Sequence, residues 1–245
     1  MPIVLEDTSI SGIGAGGLPD EVSQGRLIEI NTYTNDPGTN NASFSQMTNG
    51  GTFTWNKPAG CKRVLVYCTG AGAGSCSNDS NYRGFGGGGG GTAIGLYDVT
   101  AVNSVTVTTG SGSLGTRATT SRPGTGGTSS FGSFCSATGG RGGGSNPFGG
   151  GQSGYGTGGN ILNVPGGGGD GGHGNTGLEM GGGRSLWHET GSAHNNGTGQ
   201  GDTDLDRMRV KGRYGSGGGW CYGSQTANNN WRAGGAGLVV VYSYS

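Results

Sequence analysis

The residues whose chemistry suits catalysis or metal binding are few, and their spacing fits no reactive motif. His188 and Glu189 are followed by His194, which lies too far along for the two-histidine zinc motif of metalloproteases. His173 is the third histidine, and a two-histidine metal site stays open, although loop histidines more often belong to the polar surface. Glu189 and Asp202 have the groups to hydrolyse a glycan, but the sequence fixes no distance between the two carboxylates.

A calcium loop is suggested by the three aspartates of residues 201–206. Arg207 stands where that loop requires glycine, and no glutamate stands at the twelfth position, near Arg213. We therefore favour a solvated turn whose carboxylates pair with Arg207, Arg209 and Lys211.

A dinucleotide-binding turn is suggested by the alternating glycines from Gly70 to Gly74. Ser75 or Ser77 occupies the place of the third glycine, and no helix pattern follows to face a pyrophosphate. The five cysteines are scattered without a C-x-x-C pair, which predicts small buried side chains in or near strands rather than a zinc site or a disulfide framework. We expect no cofactor, no metal, no catalytic residues and no enzymatic activity.

The composition excludes several classes of partner. The chain has 245 residues with 14 basic and 14 acidic side chains, so it lacks the charge footprint of a nucleic-acid-binding or anionic-membrane-binding protein. No apolar run approaches the roughly 20 residues of a membrane span, and the first residues lack the pattern of a signal peptide. We expect a protein that folds in the cytoplasm and inserts into no membrane.

Glycine accounts for 63 residues and much of it stands in uninterrupted runs, which are either disordered or held by backbone hydrogen bonds. In polyproline II geometry, with about three residues per turn, every N–H and C=O points outward. Glycine lacks a Cβ, so several such polyglycine II helices can pack closely enough to bond one another. Apolar strands around the runs, four Trp and nine Tyr favour order. Two runs are predicted to be structural, the first of them a central rod: Gly86, Gly87, Gly88, Gly89, Gly90 and Gly91, then Gly166, Gly167, Gly168 and Gly169.

Alternating or β-branched patterns predict the strands of a small antiparallel, sandwich-like β domain with little regular helix. The last strand is expected to rejoin the sheet that the chain leaves near Cys135. The full fold class is thus all-β, with the β domain joined to a bundle of polyglycine II helices. The predicted strands cover residues 27–34, 51–57, 62–70, 92–99, 104–109, 129–138 and 237–244, the second of them ending where Pro58 breaks the pattern.

Four parts of the chain follow from these patterns. Residues 1–25 are predicted to form an attachment arm, with a frayed terminus as the alternative. The β domain and first rod span 26–138, and the bundle with its binding loops spans 139–236. Residues 237–245 form the strand that returns to the β domain. Successive rods are expected to run antiparallel, so that alternate turns emerge together at one tip.

The order of these segments resembles the glycine-rich tips of phage tail fibres, including the distal adhesins of large contractile-tailed phages. The resemblance covers most of residues 51–245, and residues 12–20 also look like openings common in phage fibre proteins. The residues that carry it are 53–60, 63–67 leading into 70–74, 86–91 leading into 92–99, 105–110, 130–132, 137–140 and 234–242.

The resemblance implies a virion protein, made in the host cytoplasm, whose exposed loops bind a host cell-surface receptor, either protein or glycan. It also implies a second partner, another tail-fibre or tail protein held through the N-terminal region, and a homotrimer is a candidate assembly. Aromatic side chains give large contact areas at low entropic cost and stack on sugars, although they also serve to cover the bundle. The predicted receptor-binding residues are Trp187, His188, Tyr214, Trp220, Tyr222 and Trp231, with a shorter cluster at Tyr82 and Arg83.

Two other functions stay open at this point. A glycan-degrading fibre tip would use a carboxylate pair, and a structural or ice-binding bundle would need only the rods. Ice binding favours flat faces with short turns, and the long segment 184–214 speaks against it.

Overall fold

We describe a computed structural model of the chain, which covers residues 25–36, 48–78, 83–117, 124–144, 149–173, 181–189, 194–195, 212–219, 221–222 and 233–245. Apart from Gly25, the predicted attachment arm lies outside these residues. Among the described residues, every regular secondary-structure element whose first and last residues are given below is a β-strand. In chain order the strands are β1 (Leu27–Tyr33), β2 (Gly51–Asn56), β3 (Arg63–Thr69), β4 (Cys76–Asn78), β5 (Arg83–Phe85), β6 (Thr92–Asp98), β7 (Ser104–Thr109), β8 (Thr116–Arg117), β9 (Ser129–Phe131), β10 (Cys135–Ala137), β11 (Gly156–Thr157), β12 (Leu162–Val164), β13 (Gly171–His173), β14 (His194–Asn195), β15 (Cys221–Tyr222) and β16 (Leu238–Tyr244).

Two five-stranded sheets form a sandwich. The first has the order β1-β16-β3-β6-β12 and the second the order β11-β10-β9-β7-β2, and neighbouring strands in both are antiparallel. Alternation along β3 buries Val64, Val66 and Cys68 on one face. These meet Trp55 and Phe131 of the second sheet, whose rings touch edge to face with centroids 5.7 Å apart.

Glycine segments leave the sandwich at one end and connect its strands. We call the sandwich end that holds Gly25 and Ser245 the base, because Gly25 donates its N–H to the Ser245 carbonyl there (2.9 Å). The strands end at the junction, where Thr69 passes into residues 70–75. Beyond the rods lies the tip, a four-stranded sheet of order β13-β5-β4-β8.

The prediction of an all-β fold built from an antiparallel sandwich and a polyglycine II bundle is confirmed. Most of the predicted strands are present. Four of the described cysteines are buried, as the sequence predicts: Cys61, Cys68, Cys76 and Cys135.

Two details differ from the sequence predictions. Residues 129–138 form a hairpin rather than one strand, because Gly132 adopts a left-handed φ of 51° and reverses the chain between β9 and β10. The last strand, β16, does not rejoin the sheet of Cys135. It lies between β1 and β3 of the first sheet, where its apolar run is covered by a neighbouring strand on each side.

No helix in the described ranges has both the length and the apolar character needed to cross a bilayer.

Candidate functional site

The rod of residues 86–91 is bonded through its N–H groups to three neighbouring segments, with a period of three residues. Donors three apart reach the same segment, as a helix with about three residues per turn requires. In each case the acceptors run in the opposite direction, so the neighbours are antiparallel. The bonds join Gly86 and Gly89 to the carbonyls of Asp170 and Gly167, Gly87 and Gly90 to those of Gly218 and Gly215, and Gly88 and Gly91 to those of Arg141 and Thr138.

The carbonyl groups of the same rod bind three further segments. The rod is therefore bonded to six neighbouring segments. This hydrogen bonding agrees with the prediction that the rod is central. The donors are Gly151 to Gly86, Gly183 to Gly87, Ala73 to Gly88, Gly154 to Gly89 and Gly70 to Gly91.

Close approach explains why these positions are glycine. All six residues from Gly86 to Gly91 are buried. A Cβ on Gly88 would overlap the carbonyl oxygen of Gln152, and one on Gly90 would overlap that of Gly70. In the second predicted run, a Cβ on Gly166 or on Gly169 would likewise overlap a backbone carbonyl oxygen of the central rod. Gly168 differs, because its Cβ would meet only the Gly151 carbonyl oxygen, at 3.3 Å.

The tip brings together strands that flank several connecting segments. The hairpin β4–β5 pairs Asn78 with Arg83, and β13 adds His173 beside Arg83. The segment 145–148 connects residues that are also bonded, since Gly144 donates to the Gly149 carbonyl at 3.1 Å. Thus residues 79–82, 145–148 and 174–180 all connect chain ends on the side of the rods that faces away from the sandwich.

Trp187 lies at the junction rather than at the tip. Its indole Nε1 donates to Thr69 Oγ1 at 2.9 Å, and its ring meets Tyr67 edge to face with centroids 5.5 Å apart. Thr69 is fully buried and also bonds Thr92 Oγ1 at 2.9 Å. The Trp187 side chain is 36% exposed. This placement matches the alternative in which an aromatic residue covers the bundle.

His188 and Tyr214 lie in the same junction cluster. His188 Nδ1 is 3.4 Å from Ser216 Oγ, within a turn that Ser216 N–H closes onto the Arg213 carbonyl (2.8 Å). Tyr214 sits at the centre of that turn with a φ of 44°, uncommon for an aromatic residue. Burial, and secondarily the charge of Asp36, raises the pKa of the Tyr214 hydroxyl.

The structure thus divides the predicted receptor-binding residues into two groups. Trp187, His188 and Tyr214 lie at the junction. The backbones of Arg83 and Tyr222 belong to β5 and β15. Gly219, two residues before β15, accepts a hydrogen bond from Ser75 Oγ at 2.8 Å. Tyr82, Trp220 and Trp231 lie outside the described residues.

A side groove between the junction and the tip was not recognised in the sequence. Thr138 and Arg141 stand three apart on one segment, facing Gln152 and Tyr155, three apart on the next. Thr138 N–H donates to the Tyr155 carbonyl and Arg141 N–H to that of Gln152, both at 2.9 Å. The three-residue spacing of both pairs is visible in the sequence. It indicates a groove only once the two segments are known to be neighbours.

The base carries an apolar surface on the outer face of the first sheet. Ile30, Tyr242, Leu65 and Leu96 are paired in one row across β1, β16, β3 and β6. Because the alternate residues of β3 enter the core, this row faces outward. An open groove of about 510 Å³ beside it is lined by Leu65, Leu96, Ile161 and Tyr244, with Lys62, Arg63 and Asp98 at its margin.

Among the residues that the structure describes, no group of three or more His, Cys, Asp or Glu is placed to hold a metal ion.

The fold and the bundle define a class of protein in which glycine segments, bonded through their backbones, extend a β-sandwich. The chain belongs to the family described as "Glycine-rich domain", whose model matches residues 47–244, well over half of the chain. No curated protein matches the chain with significant similarity.

Proposed function

We propose that the protein is the noncatalytic tip protein of a phage tail fibre, an adhesin that recognises a host cell-surface receptor. The observation that carries this proposal is the polarity of the molecule. Gly25 and Ser245 lie at the base, whereas β4, β5 and β13 lie at the opposite end, next to connecting segments. A protein held at one end and binding at the other requires this separation.

The scaffold suits a binding surface whose sequence changes. The rods are joined by backbone N–H and C=O groups, as in the pair Gly88 and Arg141, so the bundle places few demands on the side chains of its connecting segments. Loops on a rigid scaffold are a common location for recognition. We assign receptor contact to Tyr82, Arg83, Trp220, Tyr222 and Trp231, and a supporting role at the junction to Trp187, His188 and Tyr214.

The base suits attachment to another tail-fibre or tail protein. Its apolar row includes Leu96, 39% exposed, and the neighbouring Ile161 is 58% exposed. Contiguous apolar surface of this kind marks interaction sites on proteins. Because Gly25 lines the same groove, the N-terminal region joins the sandwich where the partner would bind. The partner we propose presents an apolar surface to this row, and the adhesin then forms part of the virion after synthesis in the host cytoplasm.

The test is the binding of the purified full chain to host cells, with a fluorophore attached at the C-terminus, since Ser245 lies at the base. Cells are stripped selectively of surface glycan or of surface protein. We expect saturable binding that one of the two treatments abolishes, and the combined change of Trp220 and Trp231 to Ala to reduce it. Binding that neither treatment changes would contradict receptor recognition.

A further inference from the structure

We propose that the side groove of the bundle is a carbohydrate-binding site that takes a sugar unit of the host surface polysaccharide. The inference rests on the proposed adhesin function and adds a site away from the tip. The groove is open, has a volume of about 560 Å³ and has Gly139 and Gly168 among its lining residues. Its side chains are Thr125, Thr138, Arg141, Gln152, Ser153 and Tyr155.

The three-residue period of the rods places these side chains in a regular array. Thr138 and Arg141 are one turn apart, about 9 Å at a rise of about 3.1 Å per residue. Tyr155 and Gln152 face them on the antiparallel neighbour, which the two backbone bonds hold in register. A ring therefore stands at one end of the array and a cluster of polar groups at the other.

Tyr155 provides the apolar platform. Its side chain is 63% exposed, more than any other large apolar side chain found exposed in the described chain. Its own N–H donates to Thr138 Oγ1 at 2.9 Å, a second bond that holds this point of the rod. An exposed aromatic ring on a rigid backbone loses little entropy when it stacks on the C–H face of a sugar.

Arg141 and Gln152 provide directed hydrogen bonds. Arg141 Nη1 donates to Gln152 Oε1 at 3.2 Å, which orients the guanidinium and the amide beside each other. A guanidinium has five N–H donors, and this contact uses one of them. The remaining donors match vicinal hydroxyls or an anionic substituent such as a phosphate or carboxylate.

The arrangement is one for binding rather than hydrolysis. Glycoside hydrolysis uses two carboxyl groups on either side of the scissile bond. Among the described residues that line the groove there is no Asp or Glu, and Arg141 is the one charged side chain. The ligand class is therefore a saccharide held by stacking and hydrogen bonds, with an anionic substituent favoured near Arg141.

The test uses the purified full chain on an array of bacterial surface saccharides, neutral and anionic. We expect Tyr155→Ala and Arg141→Ala each to weaken binding by about tenfold or more, the loss typical of an anchoring residue. Tyr155→Phe keeps the ring and should retain most of the affinity. Leu114→Ala, which removes an exposed apolar side chain elsewhere on the bundle, should change nothing, and all variants should keep the wild-type unfolding temperature.

Two results would overturn the assignment of the groove. One is the absence of binding to every saccharide on the array, and the other is binding of equal affinity by wild type, Tyr155→Ala and Arg141→Ala. If either occurs while the wild type still binds intact host cells, the adhesin function stands and the groove site alone is withdrawn. If cell binding is also absent, both proposals fail.

Discussion

The N–H of Gly88 donates to the carbonyl oxygen of Arg141 across 3.0 Å, while the Gly88 carbonyl accepts from Ala73 across 2.9 Å. Gly91, one turn further on, repeats both contacts with Thr138 and Gly70. Across residues 86–91 all six N–H groups and five of the carbonyl groups have such backbone partners, which offsets part of the large entropic cost of ordering glycine. The rest of the bundle depends on this rod, because it bonds six neighbours.

A methyl group at Gly88 should disrupt the bundle. Its Cβ would overlap the Gln152 carbonyl oxygen, and the neighbouring rods cannot separate without breaking backbone hydrogen bonds. We expect Gly88→Ala to lower the free energy of unfolding by about 3 kcal/mol or more, and Gly88→Val to abolish folding of the bundle. Denaturant unfolding followed by circular dichroism measures the change.

Gly168→Ala is the matched control, because the same methyl group there meets one atom at 3.3 Å. We expect a change within about 1 kcal/mol, since loss of glycine also restricts the unfolded chain. Equal stability of the two alanine variants would show that close packing does not select glycine in the central rod.

Trp187 should behave as a residue of the junction. Trp187→Phe removes the donor to Thr69 Oγ1 but keeps an aromatic ring beside Tyr67. We expect a loss of about 1 kcal/mol in the free energy of unfolding, with binding to host cells unchanged. A fall in cell binding at unchanged stability would instead place Trp187 in the receptor site.

Tyr97 should make the protein less stable in alkali. Burial, and secondarily hydrogen bonding with the Cys135 thiol, raises the pKa of its hydroxyl above the value of about 10 in an unfolded chain. Above about pH 10 the unfolded chain releases a proton that the folded chain retains, so the free energy of unfolding falls as pH rises. Below that pH this contribution is fully present.

The measurement is denaturant unfolding between about pH 8 and about pH 11. Tyr97→Phe should reduce the alkaline loss, whereas Tyr155→Phe, at an exposed site on the bundle, should leave it as in the wild type. An alkaline loss that is the same in all three proteins would remove Tyr97 as its source.

Leu96→Lys should block attachment through the base. A lysine would place a charge in the outward row of Ile30, Tyr242 and Leu65, and transfer of that charge into an apolar interface is unfavourable. We expect a folded protein that is missing from purified virions on immunoblots. Leu114→Lys changes a side chain of similar exposure on the bundle, 46% against 39%, and should be incorporated normally. Equal incorporation of both would exclude this face as the attachment surface.

Much of the fold is predictable from local patterns. Alternation in Ser104–Thr109 fixes a strand whichever sheet it joins, and the run from Gly86 to Gly91 has few ordered conformations other than a bonded rod. The partner strand of Leu238–Tyr244 is not predictable in this way, because an apolar run fits between strands of either sheet.

The candidate site is less predictable, because it depends on contacts between segments distant in sequence. Trp187 and Thr69 are 118 residues apart, and nothing in the surrounding composition distinguishes a tryptophan that caps a buried threonine from one that binds a receptor. The contact between Tyr155 and Thr138 also joins separate segments, 17 residues apart in the sequence. For Tyr155 and Thr138, the three-residue period becomes informative only when neighbouring rods are identified.

In the proposed function, the molecule is held at its base and binds at its tip. The most direct test measures how tightly the labelled full chain binds host cells after tip segments are replaced. Residues 79–82 and 223–232 are each replaced by Gly-Ser sequence of equal length, and Leu96→Lys serves as the base variant. We predict saturable binding by wild type and by Leu96→Lys, and binding weakened by about tenfold or more when the tip segments are replaced. Unchanged affinity after replacement of both tip segments, or loss of binding on Leu96→Lys alone, would contradict a tip that recognises the receptor.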